Sequence, residues 1–337
     1  MALPPDPGWN TREGLSLTDA RVAASCLAFG GLVALPTETV YGLGALATNE
    51  SALARIFSVK GRPSDHPVIV HVAGLADAAQ WADEVPPSAI KLAETFWPGP
   101  LTIVVERASW VPDSITGGQD TIALRSPNHP AFHAVLTALR EDHEIVAPGI
   151  AAPSANRFGQ VSPTTAAHVA DSLGAYLGEQ DRILEAGPSC DIGVESTIVL
   201  CDGDVVSVAR AGGISIEQLR EVVEVTDSTS DVPRVPGALA SHYAPDAHVI
   251  VVEQISDGLV SRFPSAALIG LAGVGTPPAW TRVLAARNVE DYAHGLYSAL
   301  RAADTQGLPV VVAVLPEAKG IGVAVRDRLV RASSNPV

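Results

Sequence analysis

The apolar positions of the chain follow two periods in alternation. From Thr18 through about Phe29 they recur at helical spacing and stop at Gly30-Gly31, so Thr18 is expected to cap a helix that the glycines end. LVALP (32–36) then predicts a strand, YGLGALA a second, SALARIFSVK a helix over 51–60, and PVIVHV a strand over 67–72. Helical spacing returns near 76–97 and 130–141, and the apolar or β-branched runs LTIVVE (101–106) and TIALR (121–125) read as strands. STIVL (196–200) and DVVSVAR (204–210) flank Asp202-Gly203, which signals a tight hairpin. Such a hairpin requires a mixed sheet, not a purely parallel one.

From about Val225 to Asp246 the period is lost and Ser, Pro, Asp and Gly dominate, which marks a linker. Beyond it HVIVVEQ, a helical stretch near 254–262, SAALIGLAG, the helix NVEDYAHGLYSALRAAD and VVVAVLPE form a β-α-β series. The expected class is therefore α/β. Residues 1–225 would form an N-terminal α/β domain whose twisted mixed sheet makes a concave site, 226–246 a linker, and 247–337 a smaller C-terminal, Rossmann-like three-layer α/β domain.

A chain of 337 residues, 47% of them hydrophobic, can bury the cores that two domains need. No apolar run approaches the roughly 20 residues of a membrane span. The opening MALPPDPGWNTREGLS lacks the basic start and apolar core of a secretory signal, so the expected location is the cytoplasm. Cys26, Cys190 and Cys201 are too few and scattered for a disulfide framework or a zinc cluster. Residues 1–225 hold 13 Lys+Arg against 27 Asp+Glu and the remainder 9 against 10, so the acidity sits in the first part. A surface of that sign does not draw phosphate backbones from a distance, which argues against tight general nucleic-acid binding; a nucleotide site must be a local basic pocket.

Four segments can carry chemistry, each with a local alternative. In PTETVYGLG (36–44) the hydroxyls of Thr37 and Thr39 either hold polar groups of an amino acid or serve a turn, and Gly42 and Gly44 would let a ligand approach the backbone. In KGRPSDHPVIVHV (60–72), Lys60 and Arg62 either face a triphosphate or form a solvated helix end, and His71 is either a ligand or a core histidine. In APSANRFGQVSPTTAAHV (152–169), Ser162 before Pro163 is expected at a helix N-cap, beside Ser154, Asn156 and Gly159, where an anion can also bind. In GVESTIVLCDGDVVSVARAGG (193–213) the hairpin brings Ser196 and Arg210 to one end, and an Arg there favours contact with an anion. Walker, dinucleotide, HExxH and GxSxG signatures are absent, so the chemistry is expected to run by positioning and charge stabilisation.

Taken together and in this order, these segments resemble the threonylcarbamoyl-AMP synthase family. Its Lys-x-Arg followed by Ser-x-Asn is matched by Lys60 and Arg62 with Ser154 and Asn156. HYAP (242–245) and GIGVAVRDRLVRAS (320–333) resemble the longer, two-domain form. The resemblance implies a threonine pocket on Thr37, His71, Arg125, Ala152 and Ser196, with Tyr41 as a further wall. It implies an ATP site from Lys60, Arg62, His66, Thr121, Ser154, Asn156, Ser162 and Arg210, with Tyr243 folding over the nucleotide. Some members carry Asn where His66 stands.

The implied reaction joins L-threonine, bicarbonate and ATP into threonylcarbamoyl-AMP and pyrophosphate, the first step of threonylcarbamoyladenosine formation next to the anticodon of tRNA. Lys60 and Arg62, with Arg210 and Mg²⁺ held by the nucleotide phosphates, would stabilise the growing charge. Arg125 would hold the threonine carboxylate, and His71 would orient the amine or accept its proton. The linker would act as a lid, and the product would pass to a tRNA threonylcarbamoyl transferase complex. Two other readings remain on the residues alone: a carbamoylation module that uses carbamoyl phosphate, against which the three isolated cysteines count, and an RNA-binding module, against which the acidity counts.

Overall fold

The computed structural model describes residues 17–185, 190–226, 233–237 and 243–333. Its larger sheet has ten strands: β1 (Val33–Leu35), β2 (Gly42–Leu46), β3 (Ile69–His71), β4 (Leu101–Glu106), β5 (Thr121–Arg125), β6 (Ile150–Ala151), β7 (Arg182–Ile183), β8 (Thr197–Asp202), β9 (Val205–Arg210) and β10 (Val225–Thr226). They lie in the order β10-β9-β8-β4-β5-β3-β6-β2-β1-β7, with parallel and antiparallel neighbours both present. The mixed sheet expected from the hairpin is therefore present, and β8 and β9 pair antiparallel across a turn in which Gly203 takes a φ of 58°.

The helices Leu17–Ala28 and Pro130–His143 cover one face of this sheet, where Leu27, Phe132 and Leu136 meet Val33, Leu35 and Ile150. The helices Glu50–Lys60 and Pro87–Phe96 contribute Leu53, Ile56, Leu92 and Ala93 to the largest apolar cluster. A third, small cluster of Ile69, Val104, Ala123 and Ile198 receives Val235 of the linker region.

The second sheet has four strands, β11 (His248–Val252), β12 (Ala267–Leu271), β13 (Thr281–Ala286) and β14 (Val310–Val314), in the order β11-β14-β12-β13 and all parallel. Alternation along β14 sends Val311 and Ala313 toward the helices Val289–Thr305 and Gly322–Ser333. Val312 and Val314 face the other way, toward Leu259 of the helix Asp257–Arg262 and Trp280. Three layers result, as the α-β alternation implies. Among the described residues no helix is long and apolar enough to cross a membrane.

Several boundaries differ from those expected. The first helix begins at Leu17, so Thr18 lies inside its first turn and is not its cap. The stretch 76–97 divides into Leu75–Ala78 and Pro87–Phe96, because residues before Pro86 and Pro87 are driven out of the helical region. The helix after Pro163 begins only at Ala166, capped by Thr165, whose side chain accepts from the His168 amide. Ser162 is thus not an N-cap. The strands β6, β7, β10 and β13 and the helix Gly322–Ser333 had no expectation attached.

The segment before β8 meets the helix Val289–Thr305 of the second sheet at close range. Gly193 takes a φ of 76°, and a Cβ there would lie 2.4 Å from the His294 Cα and 2.5 Å from the Ala293 carbonyl oxygen. Only glycine meets both demands. Gly193→Ala is expected to cost about 1–3 kcal/mol or more of stability, read as a lower urea midpoint. An unchanged midpoint would mean that the helix Val289–Thr305 does not press on residue 193.

Candidate active site

Register decides which side chains converge. Strands β3 and β5 run parallel with His71 opposite Arg125, and β8 runs parallel to β4, which puts Ser196 beside Thr102, their hydroxyls 2.7 Å apart. The β8–β9 pairing sets Arg210 opposite Ile198, and the Arg210 guanidinium turns back to donate to Ser196 through Nη2, 2.9 Å to its carbonyl and 3.1 Å to its hydroxyl. Glycine at 212 makes this approach possible, because a Cβ there would lie 2.3 Å from the backbone of Ser196 and Thr197. His71, Arg125, Ser196 and Arg210 border one cavity of about 50 Å³.

That cavity brings together Thr37, His71, Arg125, Ala152 and Ser196 with Arg62, Ser154, Arg210 and Tyr243. Lys60, His66, Thr121, Asn156, Ser162 and Tyr41 do not line it. Lys60 does not turn outward: its ammonium is buried and donates to the carbonyls of Ser154 (2.5 Å) and Asn156 (2.6 Å), so it braces the loop that carries Ser154. Asn156 closes the same loop through its amide on the carbonyls of Arg157 and Gln160, while its Oδ1 has no partner among the described residues. His66 packs edge-on against Phe158, Thr121 opens β5 opposite Glu106, and Tyr41 belongs to the main core. Ser162 donates to Glu195 at 2.8 Å.

The hydroxyl of Thr37 serves the turn, and the residue also borders the cavity. The hydroxyl donates to the Val40 carbonyl at 2.7 Å and accepts from the Thr39 and Val40 amides. Of the two glycines, Gly42 borders the cavity, but Gly44 serves packing, since a Cβ there would meet Ile150 at 2.8 Å. A ligand's approach is not what requires glycine at 44.

Three guanidiniums surround this space. Burial pushes Arg62 down to about 10 and lowers Arg210, with neighbouring guanidiniums adding to both shifts. Arg62 donates to the Pro67 carbonyl at 2.9 Å, yet its Nε has no partner among the described residues. Arg125 is held by Thr39 and by Glu38, whose carboxylate stands 2.8 Å from its Nη2. Neither Glu38 oxygen has a well-directed hydrogen bond, so this contact is an ion pair alone. An arrangement of three buried guanidiniums, that of Arg62 incompletely paired, with hydroxyls between them suits an anionic ligand with a polar second part. Glu38 and Glu195 are polar residues of the site that the sequence did not single out; both lie within the quoted motifs, each next to a named hydroxyl.

Burial holds His71 down to about 3, and Arg125 adds to the shift. Its ring is therefore neutral near pH 7, and its Nδ1 lies 3.3 Å from the Ile150 carbonyl, which assigns the proton to Nδ1. So depressed a pKa makes His71 a poor base and an effective positioning group.

Fold and site define a class: an α/β enzyme with a cavity lined by three buried arginines at one end of its larger sheet. Residues 25–212 match the profile of the family described as Telomere recombination, and residues 214–334 match that of the Threonylcarbamoyl-AMP synthase, C-terminal domain. The chain is 39% identical to the threonylcarbamoyl-AMP synthase of Pyrococcus abyssi and 36% to that of Bacillus subtilis, each alignment covering 96% of both proteins. Its structure is similar to the crystal structure of P. abyssi Sua5 complexed with L-threonine, with a TM-score of 0.85 and 38% identity over 96% of each chain. The chain belongs to the threonylcarbamoyl-AMP synthase family, in its two-domain form.

The neutral His71 has a consequence for stability. Its pKa of about 3 in the folded chain lies below the ordinary value near 6.5, so the unfolded chain binds the extra proton between those limits. Its contribution is complete above pH 6.5 and is lost, at up to about 1.4 kcal/mol per pH unit, as pH falls toward 3. His71→Gln is expected to flatten that part of the urea-unfolding pH profile; an unaltered slope would contradict the buried neutral ring.

Proposed function

We propose that the chain condenses L-threonine, bicarbonate and ATP into threonylcarbamoyl-AMP, with release of pyrophosphate and water. The observation that carries this reading is the meeting of Arg125, Thr37, Ser196 and His71 with Arg62, Arg210 and Ser154 in one cavity, in a chain so similar to named synthases. In this reading Arg125 takes the threonine carboxylate as a fork, displacing or sharing its ion pair with Glu38, and Thr37 and Ser196 bind the polar remainder. His71 and the Ala152 backbone orient the amine, which adds to bicarbonate to give a carbamate.

The carbamate oxygen then attacks the α-phosphorus of ATP, the bond to the β-phosphate oxygen breaks, and pyrophosphate leaves. A Mg²⁺ ion held by the nucleotide phosphates would supply further charge neutralisation there. Arg62 and Arg210 stabilise the charge on the phosphates, and Lys60 acts through the Ser154–Asn156 loop that it braces. His66, Thr121, Asn156 and Ser162 reach the nucleotide only if the closed arrangement changes. Some change is required in any case: ligand pockets measure roughly 300–1,000 Å³, against about 50 Å³ here. Pro236, Gly237 and Tyr243, which border the cavity from the linker side, are the groups to move, and they form the lid. Residues 1–225, 226–246 and 247–337 accordingly act as catalytic domain, lid-bearing linker and small domain. The product passes in the cytoplasm to a tRNA threonylcarbamoyl transferase complex.

The test is pyrophosphate release from ATP and Mg²⁺. Release that requires both L-threonine and bicarbonate is expected; release indifferent to threonine would overturn the reading. Arg125→Lys keeps the charge but loses the fork, so it is expected to raise the KM for threonine tenfold or more, about 1.4 kcal/mol or above, with a smaller effect on the KM for ATP.

A further inference from the structure

Glu195 precedes Ser196 at the start of β8 and borders the same cavity, and its carboxylate is the most heavily bonded acidic group near the site. It accepts from Ser162 Oγ at 2.8 Å, from the Tyr297 hydroxyl at 2.8 and 3.0 Å, and from Arg328 Nε at 2.8 Å. Ser162 belongs to the loop that follows Ser154. Tyr297 and Arg328 belong to the helices Val289–Thr305 and Gly322–Ser333 of the second sheet, and neither touches the cavity. Both are completely buried, and both also hold Tyr243: Tyr297 stacks on its ring at 5.6 Å and Arg328 lies 5.2 Å from its centroid. Arg328 further donates to the Ala211 carbonyl at 2.9 Å, just past Arg210. One buried cluster therefore runs from the second domain to the wall of the cavity.

The charge of this wall matters. A carboxylate beside a site for a triphosphate repels the ligand, and in a water-poor interior that repulsion is weakly screened. Burial alone would push the Glu195 carboxyl up; Arg328 and then Arg210 outweigh it and hold the group at about 2, fully ionised. Arg328, a residue about 130 positions away and in the other domain, supplies the nearest opposing charge.

We propose that Arg328 and Tyr297 are positioning residues of the nucleotide site: by neutralising and fixing Glu195 they remove its repulsion of the triphosphate and seat Tyr243 and Ser162. The second domain thereby sets affinity for ATP and leaves affinity for threonine, bound around Arg125, unaffected. This inference rests on the ATP-dependent reading above and gives the small domain a chemical part in it.

The test measures ATP and threonine binding separately, by calorimetry on the full chain, with thermal unfolding in parallel. Arg328→Met removes the larger of the two opposing charges and is expected to weaken ATP binding tenfold or more, with threonine binding within twofold of the parent chain. Glu195→Gln, an isostere without the charge whose one remaining oxygen can still accept from Ser162 and Tyr297 although its NH2 group cannot accept from Arg328, is expected to bind ATP as tightly as the parent or a few-fold more tightly. The double variant is expected to recover most of what Arg328→Met loses. Opposite signs for the two single variants are the signature of charge. If both weaken ATP alike, or weaken ATP and threonine together, the cluster is only a structural latch and the proposal falls. Should Arg328→Met fail to fold, Glu195→Gln decides the matter alone, because weaker ATP binding by that variant contradicts the repulsion. A parent chain that binds threonine but no ATP would overturn the functional reading, and this inference with it; a parent that binds both separates the two failures.

Discussion

Burying three guanidiniums at one end of a β-sheet is the constraint on which the rest of this structure depends. Each loses hydration, and each must be paid back in contacts: Arg62 takes the Pro67 carbonyl, Arg125 takes Thr39 and Glu38, and Arg210 takes Ser196 and the Pro236 carbonyl. These contacts hold the groups still and bond Arg210 at all three nitrogens, whereas the Arg62 Nε remains bare among the described residues and Glu38 offers Arg125 a poorly directed ion pair. A preorganised positive cavity of this kind stabilises charge that develops on a ligand without having to reorganise during the reaction. The acidic balance of the first 225 residues makes the cavity a local exception to the surface around it.

Support for this arrangement comes from behind the site. Lys60 turns its ammonium away from the cavity, into the carbonyls of the loop that bears Ser154. Glu195 ties that loop and β8 to the second domain, and Tyr243 lies between Arg328 and Tyr297 at the place where the linker meets both bodies. The small domain is thus joined to the site by a hydrogen-bonded, charge-compensated core and not by apolar contact alone. In the proposed reaction, opening the cavity for a nucleotide would loosen one side of that core and so couple lid movement to the fit of the second domain.

Much of this was legible in the sequence, and the exceptions have a common cause. LTIVVE and TIALR mark strands β4 and β5 to the residue, and the spacing around Gly203 marks a hairpin that does bring Ser196 to Arg210. Local pattern suffices there because the period and the turn lie within a few residues. Ser162 carried a good local cap signal, yet its hydroxyl is taken by Glu195 and the cap falls to Thr165, a choice made by a partner 33 residues away. Lys60 likewise finds carbonyls more than 90 residues on, and Gly44 is required by Ile150 of a neighbouring strand. Glu38 and Glu195 went unmarked because an acidic residue in a motif expected to bind anions has no evident local purpose; only the fold reveals the arginines that it faces. Strand β13 stayed hidden because it is a half-exposed edge strand, with little of the apolar contrast that marks an inner one.

The central claim is that one cavity receives threonine at Arg125 and nucleotide at Arg62 and Arg210 once the linker moves. A crystal structure of the full chain with L-threonine and a non-hydrolysable ATP analogue tests it most directly. The threonine carboxylate is expected on Arg125, the phosphates on Arg62 and Arg210, and Pro236, Gly237 and Tyr243 displaced to admit them. Nucleotide bound elsewhere on the chain, with those three arginines in their present contacts, would contradict it.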